Sequence, residues 1–164
     1  SKKPVYHDYM SIYQKVTDGI RSLSYSLNPP DLESGISDGI KKFFLRMDQV
    51  SPTNFIYEIN DSKSIAILVD TTKSYHLYRI VQEFVNNSLK HSEATEIKVR
   101  LEVVDNRFEM KVEDNGNGFD ENLTIYGSGL QNMKDRCRLS SMDFDLKTSL
   151  NNGTMISVSF EPDL

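Results

Sequence analysis

Apolar residues along this chain change their spacing several times, and each change marks an element. From Tyr9 onward they fall at Ile12, Tyr13, Val16, Ile20, Leu23 and Leu27. Steps of three and four residues read as one helical stripe, predicting a helix over about 5–27. Pro29-Pro30 closes it, because proline disfavours helical dihedrals in the residue before it and has no N–H to donate. A second stripe, Ile40, Phe43, Phe44 and Met47, predicts a helix over 36–47 that Ser51-Pro52 ends. Residues 55–59 read as a strand, and 61–70 fits either a strand or irregular backbone. The strongest helical pattern follows, with Leu77, Ile80, Val81, Phe84, Val85 and Leu89 as its buried stripe and His91 at its end. Thr71 or Thr72 would cap it.

Beyond that helix the period drops to two. Ile97, Val99, Leu101 and Val103 form one strand, and Phe108, Met110 and Val112 the next, with Asp105-Asn106 as the hairpin turn. The second strand ends on Asp114 and breaks into a loop rich in Gly and Asn, 115–128. Leu130 to Leu139 reads as a helix. Residues 144–146 and 155–160 read as strands joined by the turn Asn151-Asn-Gly153. No repeat interrupts this order. It predicts an α/β fold, a two-layer sandwich of a mixed β-sheet with helices on one face, preceded by an N-terminal helix.

Composition narrows the class. With 164 residues, 38% of them apolar and 26% charged, the chain suits one globular domain and an appendage. Its longest apolar run, Ile65-Ala-Ile-Leu-Val69, is far too short to span a bilayer. A net charge of −5 argues against nucleic-acid binding, which would need a basic face. The single Cys137 excludes an internal disulfide and a cysteine-based zinc site. It reads as a small apolar residue of the helix after Gly129, consistent with a reducing cytoplasm.

Candidate chemistry gathers at three places. Glu83, Asn87, Lys90 and His91 recur at helical spacing and share one side of a helix, where a solvated polar face is the ordinary reading. Asp114-Asn-Gly116-Asn-Gly118 ends a strand, where Asn-Gly alone would mean only a turn. Gly127-Ser-Gly129-Leu130 opens a helix, whose first N–H groups point outward and suit a phosphate.

Taken together these residues resemble a family. Gln82-Glu83-x-x-x-Asn87-x-x-Lys90-His91 resembles the N box of sensor histidine kinases. Asp114-x-Gly116-x-Gly118-Phe119 and Gly127-x-Gly129-Leu130 resemble their two glycine boxes. Asn152-Gly-Thr-Met-Ile-Ser-Val-Ser159 resembles their closing strand. Leu77-Tyr-Arg-Ile-Val-Gln-Glu83 and Gly129-Leu-Gln-Asn-Met-Lys-Asp-Arg136 are most similar to the nitrate-sensor and thermosensor subfamily, which pairs with helix-turn-helix response regulators. Leu23-Ser-Tyr-Ser-Leu-Asn-Pro-Pro-Asp-Leu-Glu33 resembles that subfamily's exit from its dimerisation helix.

The resemblance implies a layered ATP-binding catalytic domain, with Mg²⁺ as cofactor. Asp114 would accept from the exocyclic amine of adenine, since a carboxylate only accepts. Gly116 and Gly118 would let the backbone approach base and ribose. Gly127, Gly129 and Leu130 would border the phosphates, and Thr154 would lie near the adenine. Asn87 would be the single Mg²⁺ ligand, Lys90 a charge toward the phosphates, and Glu83 the polarising group. His91 would act as a cap. The loop 115–128 would be a short lid.

The family's phosphoacceptor is a His-Asp pair, and His7-Asp8 is such a pair. Only about twenty residues separate it from Pro29, room for a single helix of ~30 Å, so His7 reads as incidental. The chain then reads as the end of a dimerisation helix and its linker over 1–34, and the catalytic domain over 35–164. The acceptor histidine would lie on a dimerisation helix outside this fragment, which would leave the fragment unable to phosphorylate itself. The domain would be cytoplasmic, in a parent whose membrane anchorage stays open. Alternatives are a non-catalytic nucleotide-binding module, or a superfamily ATPase in which Glu83 activates water. Ser140-Ser141 replaces the Gly-Gly usual after the last helix of the family.

Overall fold

The computed structural model describes residues 29–120 and 128–161. The N-terminal helix with His7, and Gly127 in the lid, lie outside the described residues. A short 3-10 turn at Pro30–Leu32 leads into helix α1, Ile36–Val50, then strand β1, Asn54–Ile59. Helices α2, Ser62–Leu68, and α3, Thr71–His91, follow. Strands β2, Glu96–Val104, and β3, Arg107–Asp114, precede helix α4, Ser128–Leu139. Strands β4, Asp143–Thr148, and β5, Thr154–Phe160, complete the order.

The strands form one mixed sheet in the order β1-β2-β3-β5-β4, with β1 parallel to β2 and every other pair antiparallel. Alternation along each strand sends one set of side chains under the helices. Val99, Val112, Ile156 and Leu146 line up across four strands as one row of that set. Leu101, Met110, Val158 and Phe144 make the next. The helices close over these rows with Ile40 and Phe44 of α1, the Leu77 to Val85 stripe of α3, and Met133 and Cys137 of α4. The opposite face carries cross-strand ion pairs such as Lys98 with Glu58 at 2.7 Å and Arg100 with Glu58 at 2.8 Å. Partly solvated pairs of this kind add little stability each.

Local structure departs from the sequence reading at four points. Residues 62–68 are helical, entered through Asp61, whose carboxylate accepts from the Ser64 N–H at 3.1 Å. The cap of α3 is Asp70, accepting from the Lys73 N–H at 2.8 Å, so Thr71 and Thr72 are the first helical residues. A carboxylate at that position satisfies an orphan N–H and also favours the positive end of the helix dipole. Helix α1 runs three residues further than expected, to Val50. Leu89 is 39% exposed and leaves the stripe. Steps of four on a helix of 3.6 residues per turn drift by roughly 40° each, so the row Leu77, Val81, Val85, Leu89 turns through ~120° and off the core.

The hairpin turn is as expected, with Asp105 and Asn106 both at positive φ (50° and 62°), the primed turn that matches strand twist. The linker after Pro29-Pro30 is tied down on two sides. The Asp31 carboxylate accepts from Arg46 of α1 at 2.9 Å through one oxygen, and from Arg46 and the Tyr78 hydroxyl of α3 at 2.5 Å through the other. The Arg46 hydrogen bond holds the Asp31 carboxyl below its ordinary range, against the opposing effect of burial. Burial, then the bond to Asp31, pushes the Tyr78 hydroxyl well up.

Candidate nucleotide site

The inward rows of the sheet turn polar at one end. One step past Val99, Val112, Ile156 and Leu146 stand Ile97, Asp114, Thr154 and Thr148. Asp114 is 8% exposed, yet both of its oxygens have partners. One accepts from the Gly116 N–H at 2.9 Å, and the other from the Ser88 hydroxyl at 2.7 Å. A buried carboxylate needs such donors, since an unpaired one would be costly.

Above this row lies a cavity of about 420 Å³, lined by Asn87, Asp114, Gly118, Gly129, Leu130 and Thr154 together with Ser88, His91 and apolar neighbours. Its walls come from α3, the loop after β3, the start of α4 and the ends of β4 and β5. The loop is tied to the sheet end on both sides. The Asn117 N–H donates to the Ser92 carbonyl at 2.7 Å, and the Asn117 carbonyl accepts from the Asn151 N–H at 2.6 Å. The Phe119 N–H donates to the Thr148 hydroxyl at 3.1 Å, which stands 3.2 Å from the Thr154 hydroxyl. The first part of the expected lid, 115–120, is thus anchored.

The helix side is divided. Asn87 and His91, four residues apart, face the cavity. Glu83 lines a neighbouring groove of about 290 Å³ between α1, α3 and α4, with Arg79, Gln82, Asn132 and Arg136. A Cβ on Gly129 would overlap the Glu83 carboxylate and stand 3.1 Å from the Asn87 carboxamide, so both side chains meet beneath the first turn of α4. Gly129 is the second residue of that helix, where N–H groups have no intrahelical partner. Lys90 is exposed and lines neither space. Gly116 stands behind the cavity, pressed so closely on Ser92 that a Cβ would overlap its carbonyl oxygen.

A buried carboxylate, a carboxamide and a helix N-terminus line one cavity, with the Glu83 carboxylate beside it under the same helix turn, an arrangement that suits a polar, anionic ligand carrying a donor. The histidine kinase-, DNA gyrase B- and HSP90-like ATPase family matches residues 72–164, more than half of the chain. This chain belongs to that family.

The sensor protein VraS of Staphylococcus aureus (strain COL) is 31% identical over 141 residues, 85% of this chain and 39% of that protein. The chain therefore spans about two fifths of the length of the curated relatives it matches. The histidine kinase domain of the Erythrobacter litoralis EL346 blue-light activated histidine kinase shares the fold, with a TM-score of 0.64 at 12% identity over 77% of this chain and 61% of that one. The Acinetobacter baumannii histidine kinase AdeS gives 0.59 at 13% identity over 100% of this chain and 87% of that one. Within the histidine-kinase-like ATPase family, this chain has the fold and motif order of an ATP-binding catalytic domain of the sensor histidine kinase type.

The donor set fits the family's magnesium in one respect. Among the described residues no cluster of three His, Cys, Asp or Glu side chains could cage a metal. Mg²⁺ keeps several waters, bridges phosphates and needs few protein oxygens. Asn87, with its carboxamide at the cavity wall, is the protein oxygen at hand.

Several site residues escaped the sequence reading. Leu146 and Ile156 follow from strand alternation one row below Thr148 and Thr154. His91, expected as a cap, lines the cavity, while Ser92 ends the helix. Ser88 lies four residues after Phe84 on the buried stripe, and a hydroxyl on an apolar stripe is the signal that marks it. Thr148 had no signal, because its place depends on the pairing of β4 with β5. Cys137 is 1% exposed, and burial pushes its thiol up to about 12, so it is core and not a nucleophile.

Proposed function

We propose that this domain binds ATP with Mg²⁺ and transfers the γ-phosphoryl group to a histidine on a dimerisation helix of its parent protein. One observation carries the reading. Asp114 and Asn87 line a single cavity together with Gly129 at the first turn of α4, and Glu83 meets Asn87 beneath that turn. In this reading Asp114 accepts from the adenine amine, and a base with a carbonyl there meets acceptor against acceptor. Gly118, Thr154 and Leu130 pack around base and ribose, while Gly116 keeps the loop close. The N–H of Gly129, together with Gly127, donates to the phosphates.

Asn87 holds Mg²⁺, which when bound neutralises phosphate charge. Lys90 swings from its exposed position to add a further positive charge. The acceptor imidazole nitrogen attacks the γ-phosphorus, a P–N bond forms, the bond to the β-bridging oxygen breaks, and ADP leaves. Glu83 takes up or orients the imidazole proton. Most of the rate comes from positioning and charge neutralisation, because phosphoryl transfer needs little covalent help.

In the same reading, residues 1–34 are the end of the dimerisation helix and linker, and 35–164 the cytoplasmic catalytic domain. The downstream partner is a response regulator with a helix-turn-helix output, as the subfamily resemblance implies. No helix among the described residues is long and apolar enough to cross a membrane.

Incubation with γ-labelled ATP, Mg²⁺ and a phosphoacceptor domain from a related sensor kinase tests the reading. Acid-labile label on the acceptor histidine is expected. Free phosphate without labelled acceptor would make the domain an ATPase, and binding without either product a signalling module.

A further inference from the structure

The Ser88–Asp114 hydrogen bond joins the two ends of the site through one helix. Ser88 follows Asn87 directly in α3, is 3% exposed and is among the residues that line the cavity. A helical serine ordinarily donates back to the carbonyl four residues earlier. Here the hydroxyl donates across the core to Asp114 at 2.7 Å. The terminal torsion of an aspartate is broad, so one donor alone leaves its carboxylate free to swivel. The Gly116 N–H fixes one oxygen from the loop that leaves β3. Ser88 fixes the other from α3, the helix that also carries Glu83 and Asn87.

A carboxylate offers roughly four lone-pair positions, and these two bonds occupy one on each oxygen. Because the hydroxyl is neutral, it takes a lone pair without neutralising the charge. A lysine in its place would have cancelled the demand for a donor. The two bonds leave one further acceptor position on each oxygen, in a set plane, on a residue that lines the cavity.

We propose that Ser88 is a specificity-determining residue of the nucleotide site, whose hydroxyl sets the plane of the Asp114 carboxylate so that its open lone pairs meet an exocyclic amine on the base. The inference rests on the cavity being an adenine-nucleotide site. Ser88 acts through Asp114, so it is a positioning residue. Its loss shows in the choice of base and not in affinity for nucleotides in general. The hydroxyl also references the base end to the helix that holds the phosphate end, which keeps the two at a constant separation.

The test uses the whole chain and two nucleotides, ATP and purine riboside 5′-triphosphate, which carries hydrogen where adenine has its amine. Dissociation constants are measured by calorimetry for wild type, Ser88→Ala and Ser88→Cys. Wild type should prefer ATP by about tenfold, and Ser88→Ala should cut that preference to about threefold or less, the scale of one buried hydrogen bond to a charged group. Affinity for the nucleotide without the amine should stay within about twofold in every variant. Ser88→Cys keeps the volume with a poor donor, so it should follow Ser88→Ala. An unchanged preference in Ser88→Ala would overturn the proposal. So would an equal loss for both nucleotides, or a full preference kept by Ser88→Cys, either of which would make the role one of packing. Wild type that binds neither nucleotide would overturn the functional reading itself, a result separate from wild type that binds ATP and variants that choose as it does.

Discussion

A Cβ on Gly153 would overlap the backbone carbonyl oxygen of Asp114. Gly153 has φ +68° and directly precedes Thr154, the residue paired with Asp114 across β3 and β5. The turn between β4 and β5 is thus pressed against the strand end that carries the site's buried carboxylate. Any side chain at Gly153 must shift backbone, which yields less readily than a side chain.

From this contact we expect Gly153→Ala to be a damaging small substitution near the site. A non-glycine residue at positive φ costs about 1–3 kcal/mol, and the clash adds to that. Urea denaturation should show a loss of about 2–4 kcal/mol, with weaker ATP binding in the folded fraction. A loss below about 0.5 kcal/mol, the scale of a neutral surface change, would mean the turn is not held against Asp114.

Gly129 makes the opposite case. Its added Cβ would meet the end of the Glu83 side chain, which is free to swing aside. Gly129→Ala should therefore leave the fold intact while moving Glu83. Glu83→Gln should bind nucleotide normally and slow transfer by ~10²-fold or more if the carboxylate handles the imidazole proton. Gly129→Ala should lower the transfer rate in the same direction. Quench-flow transfer to a supplied acceptor, beside calorimetric binding of ATP, separates the two steps. An unchanged transfer rate in Glu83→Gln would remove Glu83 from the chemistry.

These two glycines show what a sequence encodes locally. Alternation gave β2 and β3 because each has one face in the core, and the Asp105-Asn106 turn is chemistry that any reader of turns recognises. The stripe of α3 was legible over most of its length because packing along it is continuous. Residues 62–68 were not, since seven residues make under two turns and show no clear period. Asp114, Gly118, Gly129 and Asn87 stood out as motif positions. Ser88 and Thr148 did not, because their roles are set by which strands and helices end side by side, and no local pattern records that. Lys90 matched a motif spacing, yet its side chain is solvent-exposed and lines neither space.

Ser141 offers a gain in stability. It is exposed and lies at φ +52°, in the turn after α4 where the family resemblance would place a glycine pair. A side chain there is strained, and glycine is not. Relief of strain outweighs the extra chain entropy of glycine in the unfolded state, so Ser141→Gly should stabilise the domain by about 0.5–1 kcal/mol. The turn stands away from the cavity lining, so ATP affinity should stay the same. Paired urea titrations and calorimetry decide this, and a destabilised Ser141→Gly would mean that the serine makes a compensating contact.

The linker clamp gives the domain an acid-sensitive hold on its N-terminal approach. Asp31 is kept ionised chiefly by its hydrogen bond to Arg46, and its carboxyl lies below the ordinary value of 3.8 that the unfolded chain would show. Between those two values the unfolded chain takes up a proton and the folded domain does not. The contribution is therefore complete above about 3.8 and is lost as pH falls through the lower folded value. Arg46 is 53% exposed, so the pair is partly screened and its charge contributes no more than about 1 kcal/mol. Asp31→Asn keeps the shape and one acceptor oxygen for Tyr78 and Arg46, but its amide nitrogen cannot accept the second Arg46 bond, so the variant removes the charge together with that bond. Near pH 7 this variant should be less stable than wild type by that small amount. Below 3.8 the gap should close, because wild type then loses the same charge. Urea midpoints at pH 7, 5, 3.5 and 2.5 measure it. A gap that stays constant down to pH 2.5 would show that the variant disturbs packing and not the ion pair.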